Sequence, residues 1–335
     1  MVQVQTPTHI VRHEHLLAIT TQLLIAEGLS QERAQLVAQS LVHANLRGID
    51  SHGVARLPHY VKRLKNKSIS ADPNIAFKSL GPAIGLVDGD HGLGQLVMHR
   101  ATEHAIELTR QSGISAVSVC NSSHCGALAW YGLQIASQNM IGLVFTHSDS
   151  MVAPHGATHA FCGTNPICIT APGLDDQHLC LDMATSCVPW NTVMNARIEG
   201  VTVPSDWALD ADGNPTTDPN QVAALLPMAQ YKGSGLGLMI DVLCALLSKS
   251  PIGPDISKMY GQMTEKRHLG GMIIAIDIAQ YVPAAWFTQQ VADVQERWNQ
   301  SERQNVTEPV LWPGQPELIT SQKCSVEKLS FRING

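Results

Sequence analysis

The sequence predicts an α/β fold that carries an additional helical region at its N-terminal end. From about residue 74 onward, short apolar runs such as residues 83–88 and 141–145 alternate with segments of helical periodicity, which is the pattern of α/β domains. Before that point, apolar residues recur at spacings of three and four in residues 15–27 and in Gln31–Leu46, as amphipathic helices require. A chain of 335 residues is long enough for about two domains, each with its own core.

The composition is that of a compact globular protein and argues against several other classes. Hydrophobic residues make up 44% and charged residues 15% of the chain, which argues against extensive disorder. The net charge of -6 argues against a nucleic-acid surface, because such a surface needs clustered lysine and arginine. The eight cysteines form no CxxC pair, and we expect reduced thiols in a cytoplasmic enzyme. We expect neither a signal peptide nor a membrane span, since the richest apolar run, 236–247, is short and contains Asp241.

The first helices are bounded by residues with known capping preferences. Gly28 ends the first helix, and Ser30 is placed to cap the second. After the second helix, a polar segment leads into a third helix that contains Pro58, a residue tolerated in a first turn. Four polar side chains fall within seven residues of this segment: Asp50, Ser51, His52 and Arg56. They indicate a functional loop, and a solvated connector is the alternative.

A single histidine, His124, follows a predicted strand at its end. Ile114 begins an apolar run typical of a buried strand, and the polar residues 121–123 end it. From Gly126 onward apolar residues recur at helical spacing, so a helix is predicted to begin beside the imidazole. Because ligands of α/β proteins bind at strand ends, His124 is a candidate functional residue. The alternative is a histidine that only packs against or caps the helix.

The remaining elements continue the alternation of strands and helices. Helices are predicted at Gly94–Ser112 and 285–304, and strands at Ile167–Ala171, 179–184 and 271–278. A polar cluster, residues 146–150, follows the strand at 141–145. Asp182 is the only charge in its strand, and a solvent-facing acid on an edge strand is one explanation for it.

A glycine-rich segment precedes the most apolar helix. Lys232 comes directly before the glycines of residues 233–237, where a helix start and a cation could hold an anion. The lysine precedes the glycines, so this is not a phosphate-binding loop of the GxxxxGK[ST] type. Leu238 breaks the GxGxxG pattern, and residues 89–94 also miss it. The chain therefore has no Rossmann fingerprint.

The candidate residues suit proton and hydride transfer better than nucleophilic or metal-ion catalysis. No GxSxG elbow occurs, which argues against nucleophilic catalysis by serine. His155 and His159 have metal-ligand spacing for a helix, but Pro154 and Gly156 oppose a helix there, so we expect no metal. Proton and hydride transfer needs an imidazole, a cation for an acid substrate and a crevice for a dinucleotide, and His124 with Arg56 supplies the first two. A metal-dependent hydrolase and a non-catalytic binding protein remain alternatives.

Several blocks resemble one enzyme family in the right order. RGIDSHGVARLPHY, NSSHCGALAWY, PHGATHAFCGTNPICITAP, LDMATS and KGSGLGLMIDVL are similar to the malate/L-lactate dehydrogenase family of NAD(P)-dependent 2-hydroxyacid oxidoreductases, which is unrelated to the Rossmann-type enzymes of the same names. Within this family, SDSMVAPHGA, DADGNPTTDP, ISKMY and LWPGQP most resemble the ureidoglycolate dehydrogenase branch.

The resemblance implies roles at the matching positions. His124 would be the acid/base residue, which takes the hydroxyl proton as a neutral imidazole while hydride leaves the neighbouring carbon for the nicotinamide. Ser51 and His52 would lie on the substrate side, with Arg56 as a bidentate clamp on the substrate carboxylate. Asp149 would face an amide or ureido nitrogen of the substrate. The positions that resemble cofactor contacts are Ser148, Asp182, Met183, Ala184, Lys232, Gly314, Gln315 and Pro316.

The resemblance also implies an architecture and partners. A mixed-sheet α/β cofactor domain of the malate/L-lactate (sulfolactate) dehydrogenase type would span residues 75–225. A discontinuous, mainly helical substrate and dimerisation domain would combine residues 1–74 with 226–335. The implied cofactor is NAD, with NADP as the alternative, and the implied substrate is a small 2-hydroxy acid, with ureidoglycolate as the best single choice. The implied assembly is a homodimer that binds neither nucleic acid nor membrane.

Overall fold

A computed structural model describes residues 8–302, 304, 307–326 and 329–332 of the chain, and it confirms the predicted α/β fold. The strands of these residues are β1 Thr8–Val11, β2 Ala76–Gly81, β3 Ile84–Asp88, β4 Ile114–Ser122, β5 Met140–Thr146, β6 Ile167–Ala171, β7 Leu179–Met183, β8 Ala208–Leu209, β9 Ala224–Leu225, β10 Leu269–Asp277 and β11 Leu329–Arg332. The helices are α1 His13–Ala26, α2 Gln31–Leu46, α3 Leu57–Lys65, α4 Gly94–Ser112, α5 Ala129–Ala136, α6 Trp190–Glu199, α7 Tyr231–Cys244, α8 Ala284–Asn299 and α9 Gln315–Val326.

Seven strands form one mixed sheet in the order β2-β3-β4-β10-β5-β6-β7. The β3–β4 pair is parallel, and the other neighbouring pairs are antiparallel. Strand β10 is a near-continuous apolar run and β4 is mostly buried, because both faces of these strands are covered. Val117 and Ile273 belong to the core under α4 and α5, and Met272 packs on the opposite face with Ile240 of α7. The mixed sheet agrees with the architecture that the resemblance implied.

The N-terminal helices pack around a second core. Leu24, Leu41 and Tyr60 are fully buried there, in a cluster that continues to Leu93 at the start of α4. Ser30 caps α2 as predicted, because its side-chain oxygen accepts a hydrogen bond from the backbone N–H of Arg33 at 3.3 Å. The helical region therefore packs directly against the end of the sheet domain from which α4 begins.

Two further pairings bear on how the chain is organised. Strands β1 and β11 are antiparallel partners and bring the two ends of the described chain together. Strand β10 lies in the middle of the large sheet, although residues 226–335 were assigned to the helical domain from the sequence. The division of the chain into 1–74 with 226–335 and 75–225 stays a prediction, and the outermost residues of those ranges lie outside the described part.

Helix α7 with the turn after it, Tyr231–Ser248, is the one stretch among the described residues whose length and apolar composition would allow a membrane crossing. Its inner face is part of the protein core, because Ile240 and Cys244 are fully buried against the sheet. Its outer face carries exposed apolar side chains, which include Leu238 and Met239. The composition of this helix is that of a core helix with one uncovered face.

Two helix starts differ from the sequence prediction. The helix expected from Gly126 begins at Ala129, because Gly126 has a φ of 76°, in the left-handed region that interrupts a right-handed helix. The glycines expected ahead of α7 lie inside it, since that helix already begins at Tyr231. A Cβ at Gly233 would lie 2.2 Å from the carbonyl oxygen of Met228, so close packing explains this glycine.

Candidate active site

The polar segment after α2 is folded into two short 3-10 turns, Asp50–His52 and Val54–Arg56. The buried side chain of Asn45 fixes both turns, because it donates to Oδ1 of Asp50 at 2.5 Å and accepts from the N–H of Val54 at 2.9 Å. Gly53 lies so close to Asn45 that an added Cβ would be 2.2 Å from its amide oxygen. The segment is thus a fixed loop rather than a solvated connector.

The start of α4 places His124 at the end of β4. Ser123 accepts a hydrogen bond from the N–H of Gly94 at 2.9 Å and donates one to the carbonyl of Gly92 at 2.9 Å. A Cβ at Gly94 would lie 2.3 Å from the carbonyl oxygen of Ser123 and 2.6 Å from that of His124. Only glycine permits this approach, and it sets the backbone position of His124.

The loop and the strand end bring Ser51, His52 and His124 together. The hydroxyl of Ser51 lies 2.9 Å from Nδ1 of His52, and the rings of His52 and His124 stack with centroids 5.7 Å apart. The hydroxyl of Tyr60, on α3, lies 2.7 Å from Nδ1 of His124. Within the described residues no hydrogen bond reaches Nε2 of His124, so this nitrogen is the one available to a ligand.

Arg56 lies beside the same histidines and is held at all three of its nitrogens. Its Nε donates to the carbonyl of Ser51 at 2.6 Å, and one terminal nitrogen donates to Oδ1 of Asn191 at 2.6 Å. The other terminal nitrogen donates to the hydroxyl of Tyr260. Three of the five N–H groups of a guanidinium are thereby used, which leaves one on each terminal nitrogen.

Asp149 is buried and ion-paired with Arg267. Its second carboxylate oxygen accepts the N–H of Met259 at 3.1 Å, so both oxygens already have protein donors. The predicted contact of Asp149 with a substrate nitrogen stays a prediction. What the structure shows is an anchor for the segment that carries Tyr260, and the buried Arg63 supports the same segment by donating to the carbonyls of Met259 and Glu265.

The electrostatics of the site keep its histidines neutral. Burial, with the positive charge of Arg56, lowers the pKa of His52 to about 4. Burial is also the largest cause that lowers the pKa of His124 well below its ordinary value, followed by His52 and Arg56. One terminal nitrogen of Arg267 is buried without a hydrogen-bond partner. The site is therefore rich in positive charge and suits a negatively charged ligand.

The residues predicted to contact a cofactor lie around the strand ends across the sheet. Ser148 follows β5, and its N–H donates to Oδ1 of Asn165, whose amide in turn donates to the carbonyl of Gly237 in α7. Gly314 packs on Cys180 of β7. Asp182, Met183 and Ala184 follow at the end of the same strand. Lys232 is exposed in the first turn of α7, and Gln315 with Pro316 begins α9.

Asp182 has a structural contact that the sequence did not predict. Its carboxylate accepts the N–H of Ala129 at 2.8 Å and so caps α5. Surrounding protein atoms raise the pKa of Asp182 to about 6 through loss of solvation, although the residue keeps an exposed edge. Strand β7 lies at the edge of the sheet, where a solvent-facing acid was the alternative explanation for Asp182.

A cavity of about 500 Å³ lies beside α7, and its wall includes Thr185 and Gly233, the sequence neighbours of Ala184 and Lys232. Gly163, Thr185 and Gly235 contribute to its wall, together with apolar side chains such as Phe161 and Leu238. A Cβ added at Gly235 would meet no atom within 4 Å, so α7 faces open space at this position. Such a surface, with Lys232 near the helix start, fits a flat, negatively charged dinucleotide.

Several residues of the site were not found from the sequence. Tyr60 follows Arg56 by four positions in a helical segment, and that spacing could have placed the two side chains on one face. Tyr260, Asn191 and Arg267 reach the site from distant parts of the chain, and no local pattern marks them. Among the described residues, no group of three or more histidine, cysteine or acidic side chains is arranged to hold a metal ion.

Among the described residues, an imidazole nitrogen without a hydrogen bond lies beside a fixed guanidinium at the end of a strand, and this arrangement suits an enzyme that transfers a proton to or from a small acid. The chain belongs to the malate/L-lactate dehydrogenase family, whose model matches residues 11–331. This confirms the resemblance seen in the sequence.

Individual relatives agree with this assignment over nearly the whole chain. The ureidoglycolate dehydrogenase (NAD(+)) of Escherichia coli strain K12 is 35% identical over 321 residues, which are 96% of this chain and 92% of that enzyme. The malate dehydrogenase of Pyrococcus horikoshii is 35% identical over 323 residues, 93% of this chain and 88% of that enzyme. The solved structure of sulfolactate dehydrogenase from Methanocaldococcus jannaschii superposes with a TM-score of 0.90 at 31% identity and covers 97% of this chain and 93% of that one.

We predict that the free energy of unfolding decreases as the pH falls from 7 to 5. His43, His52, His59 and His124 have folded-state pKa values below 6.5. At a pH between the folded-state and the unfolded-state pKa of such a histidine, the unfolded chain binds more protons than the folded chain. Lowering the pH therefore favours unfolding, by up to about 2 kcal/mol for each such histidine. The raised pKa of Asp182 acts in the opposite direction and offsets part of the effect.

Urea unfolding at the two pH values measures this difference. His43→Gln removes one of these titrations and should reduce the difference. Equal stability at pH 7 and pH 5 would show that these histidines are not kept neutral by the fold.

Proposed function

We propose that the chain is an NAD(P)-dependent dehydrogenase that oxidises the hydroxyl carbon of a small 2-hydroxy acid, with ureidoglycolate, oxidised to oxalurate, as its substrate. The observation that carries the proposal is the arrangement of His124, which keeps Nε2 free while Tyr60 holds Nδ1 and Arg56 lies beside the ring. The family assignment and the ureidoglycolate dehydrogenase of Escherichia coli support the reaction class and the substrate.

In the proposed reaction His124 is the base. Its neutral Nε2 accepts the proton of the substrate hydroxyl, the O–H bond breaks, and the imidazolium releases the proton to solvent after product leaves. When bound, the nicotinamide of the cofactor would supply the acceptor for the hydride that leaves the same carbon. Because burial and Arg56 disfavour a cationic ring, the substrate carboxylate is needed nearby to balance the charge that develops on His124.

Arg56 is the proposed clamp for that carboxylate. Its two uncommitted N–H groups are on different terminal nitrogens, which suits two parallel hydrogen bonds to one carboxylate. Ser51 and His52 complete this side of the pocket, and the hydroxyl of Ser51 orients the His52 ring. The pocket thus distinguishes 2-hydroxy acids from neutral alcohols by charge.

The cofactor is proposed to lie along the cavity beside α7. Ser148 and the backbone of residues 182–184 would hold one part, Lys232 would bind a phosphate, and Gly314, Gln315 and Pro316 would close the far side. The support for this placement is the cavity wall, which includes Thr185 and Gly233, the sequence neighbours of Ala184 and Lys232. NAD is the proposed cofactor because the ureidoglycolate dehydrogenase of Escherichia coli bears it in its name, and NADP is the alternative.

A second candidate substrate class follows from the comparisons. Malate and sulfolactate dehydrogenases match the chain at 35% and 32% identity, and both names denote acids with a second anionic group. The buried terminal nitrogen of Arg267 that has no hydrogen-bond partner would suit such a group. A panel of ureidoglycolate, malate, lactate and sulfolactate with each nucleotide, followed by the absorbance of the reduced nicotinamide, decides between these substrates.

His124→Ala and His124→Asn should lower kcat by about two to four powers of ten, the usual effect of removing a general base. The dissociation constant for NADH, measured by fluorescence titration, should stay near the wild-type value, because His124 does not line the cofactor cavity. His155→Ala, in an exposed loop, is the control and should retain full turnover. Wild-type turnover of both His124 variants would refute the proposed base.

Arg56→Lys should raise the KM for the acid by about ten- to one-hundred-fold and change kcat less, because a point charge cannot reproduce two parallel donors. Steady-state kinetics over a range of acid concentrations measures both constants. Lys keeps the positive charge, so the variant separates geometry from charge. An unchanged KM would show that Arg56 does not bind the carboxylate.

We propose that the protein works as a cytoplasmic homodimer. The support is the outer side of α7 and the turn after it, where Met239, Leu246 and Leu247 are about half exposed. Leu247→Glu should shift the sedimenting species from two chains to one, whereas the equally exposed Ile198→Glu on α6 should not. A wild-type protein that sediments as one chain would contradict the dimer.

A further inference from the structure

Strand β4 contains one extra residue shortly before His124. Its pairing with β10 joins Val119 to Gly271 and Ser122 to Leu269, so three steps along β4 match two steps along β10, which is a β-bulge. Residues that pair directly lie on one face of a sheet, and side chains alternate along each strand. The extra residue therefore turns Ser122 to the face of Val119, which packs in the core under α4 and α5.

Asn121 supplies the backbone conformation of this bulge. Its φ is 50°, in the left-handed region, which asparagine adopts more readily than most residues with a side chain. Its amide nitrogen donates to Oδ1 of Asp88 at 3.0 Å, and its amide oxygen accepts from Nδ1 of His268 at 3.0 Å. Because Asp88 ends β3 and His268 directly precedes β10, these bonds fix the bulge to the strands on both sides of β4.

The chain after the bulge leads directly to the imidazole. Cys125, the residue after His124, belongs to the core under α4 and α5. Tyr60, whose hydroxyl lies 2.7 Å from Nδ1 of His124, packs with the start of α4. We propose that Asn121 is a positioning residue: by holding the left-handed conformation of the bulge, it directs the end of β4 to the side where Tyr60 meets the imidazole. The proposal rests on His124 being the acid/base residue, but the environment of its ring is measurable without turnover.

Asn121→Val keeps a side chain of similar size but disfavours a positive φ and removes both hydrogen bonds. In this variant kcat should decrease by about ten- to one-hundred-fold, because a small displacement of a catalytic group is costly. The dissociation constant for NADH, measured by fluorescence titration, should stay near the wild-type value, because neither Asn121 nor His124 lines the cofactor cavity. Asn121→Gly keeps the left-handed conformation and should lose less than about five-fold in kcat.

Nitrogen NMR of protein labelled with ¹⁵N in its histidines follows the ring itself, with His124→Asn used to assign the signals. The His124 signals should move in Asn121→Val and stay closer to wild type in Asn121→Gly. Asn139→Val is the matched control, because Asn139 also has a positive φ, 58°, but is exposed after α5. Its melting temperature should decrease as that of Asn121→Val does, with the His124 signals and kcat unchanged.

The valine variant decides the proposal. Wild-type His124 signals and wild-type kcat in Asn121→Val overturn it. If valine prevents folding, Asn121→Ala replaces it, because alanine tolerates a positive φ at lower cost than a β-branched residue. Equal losses in the glycine and valine variants also overturn it, because the left-handed conformation would then not be what positions the ring. His124 signals that move as expected while His124→Ala retains turnover support the positioning role of Asn121 and refute the proposed function instead.

Discussion

The contact of Gly94 with the backbone of Ser123 and His124 is the constraint on which the geometry of the site depends. It requires a residue without a side chain, because a Cβ there would overlap two carbonyl groups. The same contact fixes the first turn of α4 against the end of β4, next to Leu93 of the N-terminal core. The core of the helical region and the core under the sheet meet at this point. Side-chain packing in both cores therefore helps to keep the imidazole of His124 in place.

The charged side chains of the site also fix the position of Arg56. Asp149 neutralises Arg267, one of three nearby arginines, and it also accepts the N–H of Met259 in the segment that carries Tyr260. Removing one partner of such a buried pair leaves an uncompensated charge and disturbs whatever the pair supports. Tyr260 and Asn191 then fix the guanidinium of Arg56 from two other parts of the chain. The clamp is thus pre-oriented before any acid binds, which reduces the ordering that binding must cost.

Local patterns predicted the elements well and the site in part. Helix α2, helix α4 and strand β6 have the predicted bounds because caps and apolar periodicity are encoded within each segment. His124, Arg56 and His52 were predicted as neighbours because the resemblance named them, and the geometry of the loop brings them together. Residues that act across the fold gave no such signal. Tyr260 is 204 positions from Arg56 in the chain.

The position of β10 in the sheet has a consequence for how the protein is made. Its two neighbours, β4 and β5, have both left the ribosome more than one hundred residues before β10 does, and neither pairs with the other in the finished sheet. During translation both strands therefore present unpaired backbone edges and apolar faces, the kind of surface that joins other chains. Closure by a late central strand also requires contacts of long sequence separation, which slow folding. Nascent chains of this protein consequently pass through an aggregation-sensitive interval that ends only when the last third of the sequence is synthesised.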